Sequence, residues 1–338
     1  MKPQIRIDNP TKIDHLLIDK DLKKGKLVII QFSDKTYSDK LLSELNELCL
    51  EFDENFTVRF YGIYQNSFDC ETLSKLPNLK SLWLEGYLKA YNLKVLKELK
   101  NLKRLGLGLL ELEDLEILKE NNFQNLEELI IGGTKTKAID LQYLKNYRDL
   151  KSLSLCGHTK NIDVVGKLRN LEVLRLTSIP EVSLKFINNL EKLNSLSFLL
   201  GGRENLDEIE ENEIENLEII RVQGFNSFKN ITNFKNLKNL QIEDQIQFKE
   251  LDFAQELPNL KDFKLGNCKT FEKLTGLHKL INLNQLRIYK TNIDFDDFIN
   301  QIFPNSLDIL AFYTSKSKID KEIKERLQKL GYRDGLER

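Results

Sequence analysis

Apolar residues recur along most of this chain in one frame, Leu-x-x-Leu-x-Leu. It is written as "LPNLKSLWLEG" from Leu76 to Gly86, then as "LKNLKRLGLGL" and "FQNLEELIIGG". Counted from the first Leu, units start at Leu79, Leu102, Leu126, Leu150, Leu171, Leu193, Leu217, Leu237, Leu260, Leu283 and Leu307. That makes eleven units spaced 20 to 24 residues apart. The first, fourth and sixth letters are apolar, and the letters between them vary. This is the period-two signature of a short strand with one buried face. The rest of each unit carries a second apolar set, such as Ile162, Val165 and Leu168, which predicts a return segment closing the far side of the core. A unit this small cannot bury its own apolar edge, so the units must stack.

Eight units have Asn immediately before the first Leu: Asn78, Asn101, Asn125, Asn170, Asn216, Asn236, Asn259 and Asn282. Asn tolerates turn conformations and bonds nearby backbone, so it suits the corner where the return segment enters the strand. The frame "x-N-L-x-x-L-x-L" resembles the short-repeat class of leucine-rich repeat proteins that includes phosphatase regulators, over about residues 65 to 315. The resemblance implies an α/β repeat solenoid, a leucine-rich repeat horseshoe with a parallel concave β-sheet, used as a scaffold that grips a protein on that sheet. Such repeats often carry an Asn at the ninth position. Here that position has none, and Thr134, Thr291, Ser315 and Cys268 are the expected partial substitutes.

A stack of repeats exposes an apolar edge at each end, which predicts atypical caps. Residues 1–64 are expected to form an α/β N-terminal cap. It holds a strand over Lys26–Phe32, a helix over Tyr37–Phe52 with Leu41, Leu45 and Leu48 on one face, and a strand over Phe56–Gly62. Val58 and Phe60 stand 24 residues ahead of Leu82 and Leu84, so the last strand reads as a degenerate repeat. Residues 316–338 are expected to form a C-terminal capping helix, with Ile319, Ile323, Leu327 and Leu330 on one stripe.

Composition narrows function mainly by exclusion. The 51 Lys and Arg nearly cancel the 52 Asp and Glu, so no global field draws nucleic acid or an anionic membrane. Cys49, Cys70, Cys156 and Cys268 lack paired spacing, which fits a reducing compartment. With no signal-like or membrane-length apolar run, a cytoplasmic location is expected.

Catalytic signatures are sparse. There are three His, and no Cys-x-x-Cys, no His-Glu-x-x-His and no phosphate loop. Cys156 and His158 stand two apart at a strand end, but no acidic orienter accompanies them. The acidic run from Glu204 to Glu218 has eight carboxylates and falls on an outer segment, where Leu206, Ile209 and Ile214 can face inward. A non-catalytic protein without cofactor or metal is therefore expected. An enzyme with its chemistry in residues 1–64 and nucleic-acid binding along a basic row are the alternatives.

The variable letters point to a partner. In this frame the fifth letters line the middle of the concave sheet and place Arg175, Arg221, Lys264 and Arg287 in one row, with Trp83 near the N-terminal end. The third letters add Arg104, and the seventh add Tyr289 and Tyr313. Aromatic residues and Arg on a rigid sheet are the types that anchor protein interfaces. A basic row predicts a protein partner with an acidic patch.

Overall fold

The computed structural model describes residues 3–33, 37–119, 123, 125–135 and 139–335. Residues 336–338 of the expected C-terminal cap lie outside the described residues. The chain divides into two compact units, Met1–Asn170 and Leu171–Arg338.

The N-terminal unit begins with β1 (Gln4–Asp8), α1 (His15–Lys23), β2 (Leu27–Phe32), α2 (Asp39–Glu51) and β3 (Phe56–Tyr61). It continues through β4 (Ser67–Asp69), β5 (Ser81–Tyr87), β6 (Lys89–Tyr91), β7 (Arg104–Leu109), β8 (Glu128–Ile131) and β9 (Ser152–Cys156). Strands β1, β2, β3, β5, β7, β8 and β9 pair in that order, all parallel. Strands β4 and β6 form a separate pair. Val58 pairs with Leu82 and Phe60 with Leu84, so β3 continues the repeat register into the N-terminal segment. The sequence pattern did not predict β1 and α1, because five residues of alternation are too short a signal.

The C-terminal unit holds β10 (Val173–Thr177), β11 (Ser195–Leu199), β12 (Asn216–Ile220), β13 (Asn239–Glu243), β14 (Glu250–Asp252), β15 (Asp262–Gly266), β16 (Lys273–Thr275), β17 (Gln285–Tyr289), α3 (Phe295–Ile299), β18 (Ile309–Tyr313) and α4 (Ser317–Lys329). Strands β10, β11, β12, β13, β15, β17 and β18 are again all parallel, and β14 pairs with β16 apart from them. On α4, Ile323 and Leu327 are buried, whereas Ile319 and Leu330 at the ends of the expected stripe are exposed.

The core follows the repeat. All eleven predicted unit-starting leucines are buried, and short 3-10 turns such as Cys70–Lys75, Leu141–Asn146 and Ile162–Lys167 form the opposite layer. A unit of twenty-odd residues leaves only about six for the return, and six residues at roughly 2.0 Å rise span the layer without an α-helix. The fold is an α/β leucine-rich repeat solenoid.

One unit is read in the wrong register by the sequence pattern. Leu217 pairs with Leu196 on one side and Leu240 on the other, so it occupies the fourth position of its repeat, and Ile214 is the first. The starts then fall at 193, 214 and 237, more even than 193, 217 and 237. Arg221 becomes the eighth residue, and its φ of 51° matches the positive φ of the eighth residues Ser178, Leu200, Asp244, Asn267 and Lys290. Glu213, not Asn216, precedes that first position.

The corner asparagines do more than turn the chain. Asn101, Asn125, Asn170, Asn259 and Asn282 donate to the backbone carbonyls of Pro77, Lys100, Arg148, Lys235 and Pro258 in the preceding repeat, at 2.7 to 3.3 Å. These bonds form a ladder at the entry corner. At the ninth position, His158, Gln245 and Cys268 are all buried, and they bond to backbone carbonyls in the strands or just after them: Gly132 for His158, Ile219 and Glu243 for Gln245, Ile242 and Gly266 for Cys268. Of the four expected substitutes Cys268 takes this role, whereas Thr291 Oγ1 is buried without a partner.

Candidate functional site

A ligand on the sheets would meet the third, fifth and seventh residues of the repeats, because the fourth and sixth are buried, although Ser197 and Ala311 at fifth positions are themselves covered. In the C-terminal unit the true fifth-position row is Arg175, Ser197, Glu218, Gln241, Lys264, Arg287 and Ala311. Arg221 does not belong to it. Its guanidinium sits at the corner after β12 and donates to Asp244 at 2.7 Å. The place assigned to Arg221 is held by Glu218.

The remaining cations are paired on the sheet. Arg175 stands 3.7 Å from Glu218, Lys264 is paired with Glu243, and Arg287 is 3.3 Å from Asp262. Ser197 also donates to Glu218 at 2.7 Å. The face is thus an alternating charge pattern and not a basic ridge. A pocket of about 160 Å³ opens at its centre, lined by Asn239, Gln241, Asp262, Lys264 and Arg287 among others. Tyr289 is exposed at the end of β17, with the Lys290 ammonium 4.9 Å from its ring centre. Tyr313 is less available: its hydroxyl donates to Asp334 at 2.5 Å, and burial, aided by that carboxylate, pushes its pKa up to about 12.

In the N-terminal unit, Trp83 is half-buried and lies over Gly106; a methyl group on Gly106 would meet the indole Cδ1 at 2.9 Å. Arg104 is held by Glu128 at 2.9 Å and by the Glu54 carbonyl at 3.3 Å. A polar chain absent from the sequence reading crosses four strands: Arg59 donates to Glu85 and Gln31, and Gln31 donates to Asp8.

The possible nucleophiles have other roles or unsuitable settings. Burial pushes the thiols of Cys49, Cys70 and Cys268 up to about 12, far from a reactive thiolate. The His158 Nδ1 accepts the Ile139 N–H at 3.2 Å, so the ring proton lies on Nε2 and is donated to the Gly132 carbonyl at 3.0 Å. Beside Cys156, this imidazole is a structural bridge with no nitrogen left to act as a base. Among the described residues, no group of three or more His, Cys, Asp or Glu is placed to hold a metal, and no helix is long and apolar enough to cross a membrane. In the acidic run Leu206, Ile209 and Ile214 are buried, and Glu208 accepts the Leu184 N–H at 2.6 Å while Glu211 and Glu215 meet Lys235 and Lys238.

The His158 bridge predicts a pH effect. Burial depresses its pKa below the ordinary 6.5, so the unfolded chain takes up a proton before the folded one does. The bridge contributes fully above about pH 6.5, and its contribution falls as pH drops through the lower folded value. His158→Asn keeps one acceptor and one donor without titrating. Urea midpoints at pH 7.5 and 5.0 are expected to fall further for the wild type than for the variant.

No model of a known family matches the sequence, and no curated protein matches it. Solved structures do share the fold. An internalin of Listeria monocytogenes is 18% identical, with a TM-score of 0.57 over 91% of this chain and 86% of its own. A leucine-rich repeat protein of Leptospira interrogans is 20% identical, with a TM-score of 0.50 over 90% of this chain and 87% of its own.

Proposed function

We propose that this chain is a non-catalytic scaffold that binds a protein partner on the strand face of its repeats. The observation that carries this reading is the C-terminal face itself. Its charged side chains and Tyr289 stand on seven rigid parallel strands, positioned by the sheet and not by loops. Interface energy concentrates in a few such anchors.

The charge pattern refines the partner. Each cation of the row has a carboxylate within 4 Å, so a uniformly acidic patch would gain from Arg175, Lys264 and Arg287 while meeting Glu218, Glu243 and Asp262. A protein of mixed charge, with acidic groups set opposite the three cations, fits better. The same alternation disfavours a nucleic-acid backbone, which needs contiguous cations. Four free cysteines, three of them buried, support a reducing and therefore cytoplasmic setting. The short spacing and 3-10 returns support the resemblance to the short-repeat class that includes phosphatase regulators. An inhibitor, an immunity protein and an adaptor all fit this face equally.

Photo-crosslinking tests the reading. Benzoylphenylalanine at Gln241 on the strand face is expected to trap a defined protein in cells of origin, and at Lys229 on the outer turn to trap none. Lys264→Glu combined with Arg175→Glu should weaken that partner by about tenfold or more, while Arg221→Glu, outside the row, leaves it unchanged. Equal trapping from both positions, or no adduct from Gln241, overturns the proposal.

A further inference from the structure

Among the described residues β1 is the outermost strand of its sheet, and its outer edge carries charges in a self-complementary order. The Leu27 N–H donates to the Pro3 carbonyl at 2.9 Å and the Asn9 N–H to the Gln31 carbonyl at 2.8 Å. Bonding alternates along a parallel ladder, so the backbone of Ile5 and Ile7 faces β2, and that of Gln4, Arg6 and Asp8 faces away. No described residue bonds those outward groups. The β18 edge differs: there the Arg333 carbonyl accepts the Leu310 N–H at 3.0 Å.

The side chains say what would complete the β1 edge. Asp8 stands in register with Gln31, Arg59 and Trp83, on the strand face. The polar chain Glu85–Arg59–Gln31–Asp8 therefore ends on a carboxylate at an open edge, with Gln31 donating to one of its oxygens. The next group such a chain calls for is a cation on an incoming strand. Arg6 is an exposed cation on the same face, two residues from Asp8.

We propose that two copies of this chain associate through β1, antiparallel, with Ile7 opposite Ile7 of the second copy and Arg6 opposite Asp8 of the second copy. This register brings the outward backbone groups of Arg6 and Asp8 into two hydrogen-bonded pairs and forms two symmetric ion pairs. A register centred on Arg6 would set Arg6 against its own copy, and one centred on Ile5 would set Arg6 against Gln4. Like charges directly opposite are unfavourable. Pro10, lacking an N–H, ends the ladder. A five-residue strand buries less than the roughly 800 Å² per partner of a standard interface, so the dimer is weak and concentration-dependent.

Sedimentation velocity over a concentration series reads the association directly. The wild type is expected to shift from monomer to dimer with concentration, less so as salt rises. Arg6→Asp is expected to raise the dimer dissociation constant by about tenfold or more, by setting like charges opposite each other at two places. The double swap Arg6→Asp/Asp8→Arg should restore it. Ile7→Cys in a Cys156→Ser background should oxidise to a disulfide-linked dimer, since directly opposed residues lie within bridging distance. A wild type that stays monomeric up to millimolar concentration overturns the proposal. So does a dimer unmoved by Arg6→Asp in protein whose circular dichroism is unchanged.

Discussion

Ile219→Asp is expected to leave the C-terminal unit unfolded, whereas Ile130→Asp is expected to fold. Ile219 is fully buried, in register with Phe198 and Ile242 at the sixth position of their repeats. A carboxylate there would be buried without a partner, at a cost of roughly 4 to 5 kcal/mol or more, a large share of a total stability of about 5 to 15 kcal/mol. Ile130 is half-buried at a fifth position, where the new charge keeps its water. Reading the unit from Leu217 makes both residues surface letters and predicts similar, mild effects. Circular dichroism and urea titration of the two variants therefore decide the register: equal behaviour would return Ile219 to the surface and Arg221 to the basic row.

Truncation after Ser315 is expected to cause aggregation and a large loss of stability. The removed segment covers the last strand twice over. Ile323 and Leu327 are buried where α4 packs against β18, and Leu327 lines one pocket with Leu310 and Phe312. Residues beyond α4 occupy its edge, with Arg333 accepting from the Leu310 N–H and donating its own N–H to the Asp308 carbonyl at 2.9 Å. Removing both exposes apolar surface together with an unpaired strand edge, the combination that promotes edge-to-edge association. Leu327→Ala separates the two contributions. It leaves the edge covered and should cost roughly 2 to 5 kcal/mol, read as a lower urea midpoint without increased light scattering. A soluble truncated chain of unchanged stability would show that α4 is not a cap.

The pattern of letters located the repeats because an inward leucine is required at fixed spacing wherever a short strand packs in a stack. It failed at Leu217 for a specific reason. The segment Leu217-Glu218-Ile219-Ile220-Arg221-Val222 satisfies the apolar frame, and so does Ile214-Glu215-Asn216-Leu217-Glu218-Ile219. A shift of three residues is invisible to hydrophobicity. Only pairing with Leu196 and Leu240 removes the ambiguity, together with the left-handed corner at Arg221. The error mattered because it put a cation where the face carries Glu218. The ninth-position ladder was missed in a similar way. His158 and Gln245 are polar letters that read as solvent-facing or reactive, and they become ladder members only when neighbouring repeats offer carbonyls to bond.

By itself, then, the sequence determined the repeat, the parallel strands and the layered core, since these follow from apolar spacing and from the inability of one unit to bury its own edge. Outside the misread unit it also determined which strand positions point away from the core. Only the tertiary structure decided what those residues meet there. Arg175, Lys264 and Arg287 are neutralised by carboxylates one or two strands away, and Arg6 and Asp8 stand along an edge that no described residue pairs. Charge pairing between strands depends on register, and register is settled by backbone hydrogen bonds between residues more than twenty positions apart. No local pattern encodes it.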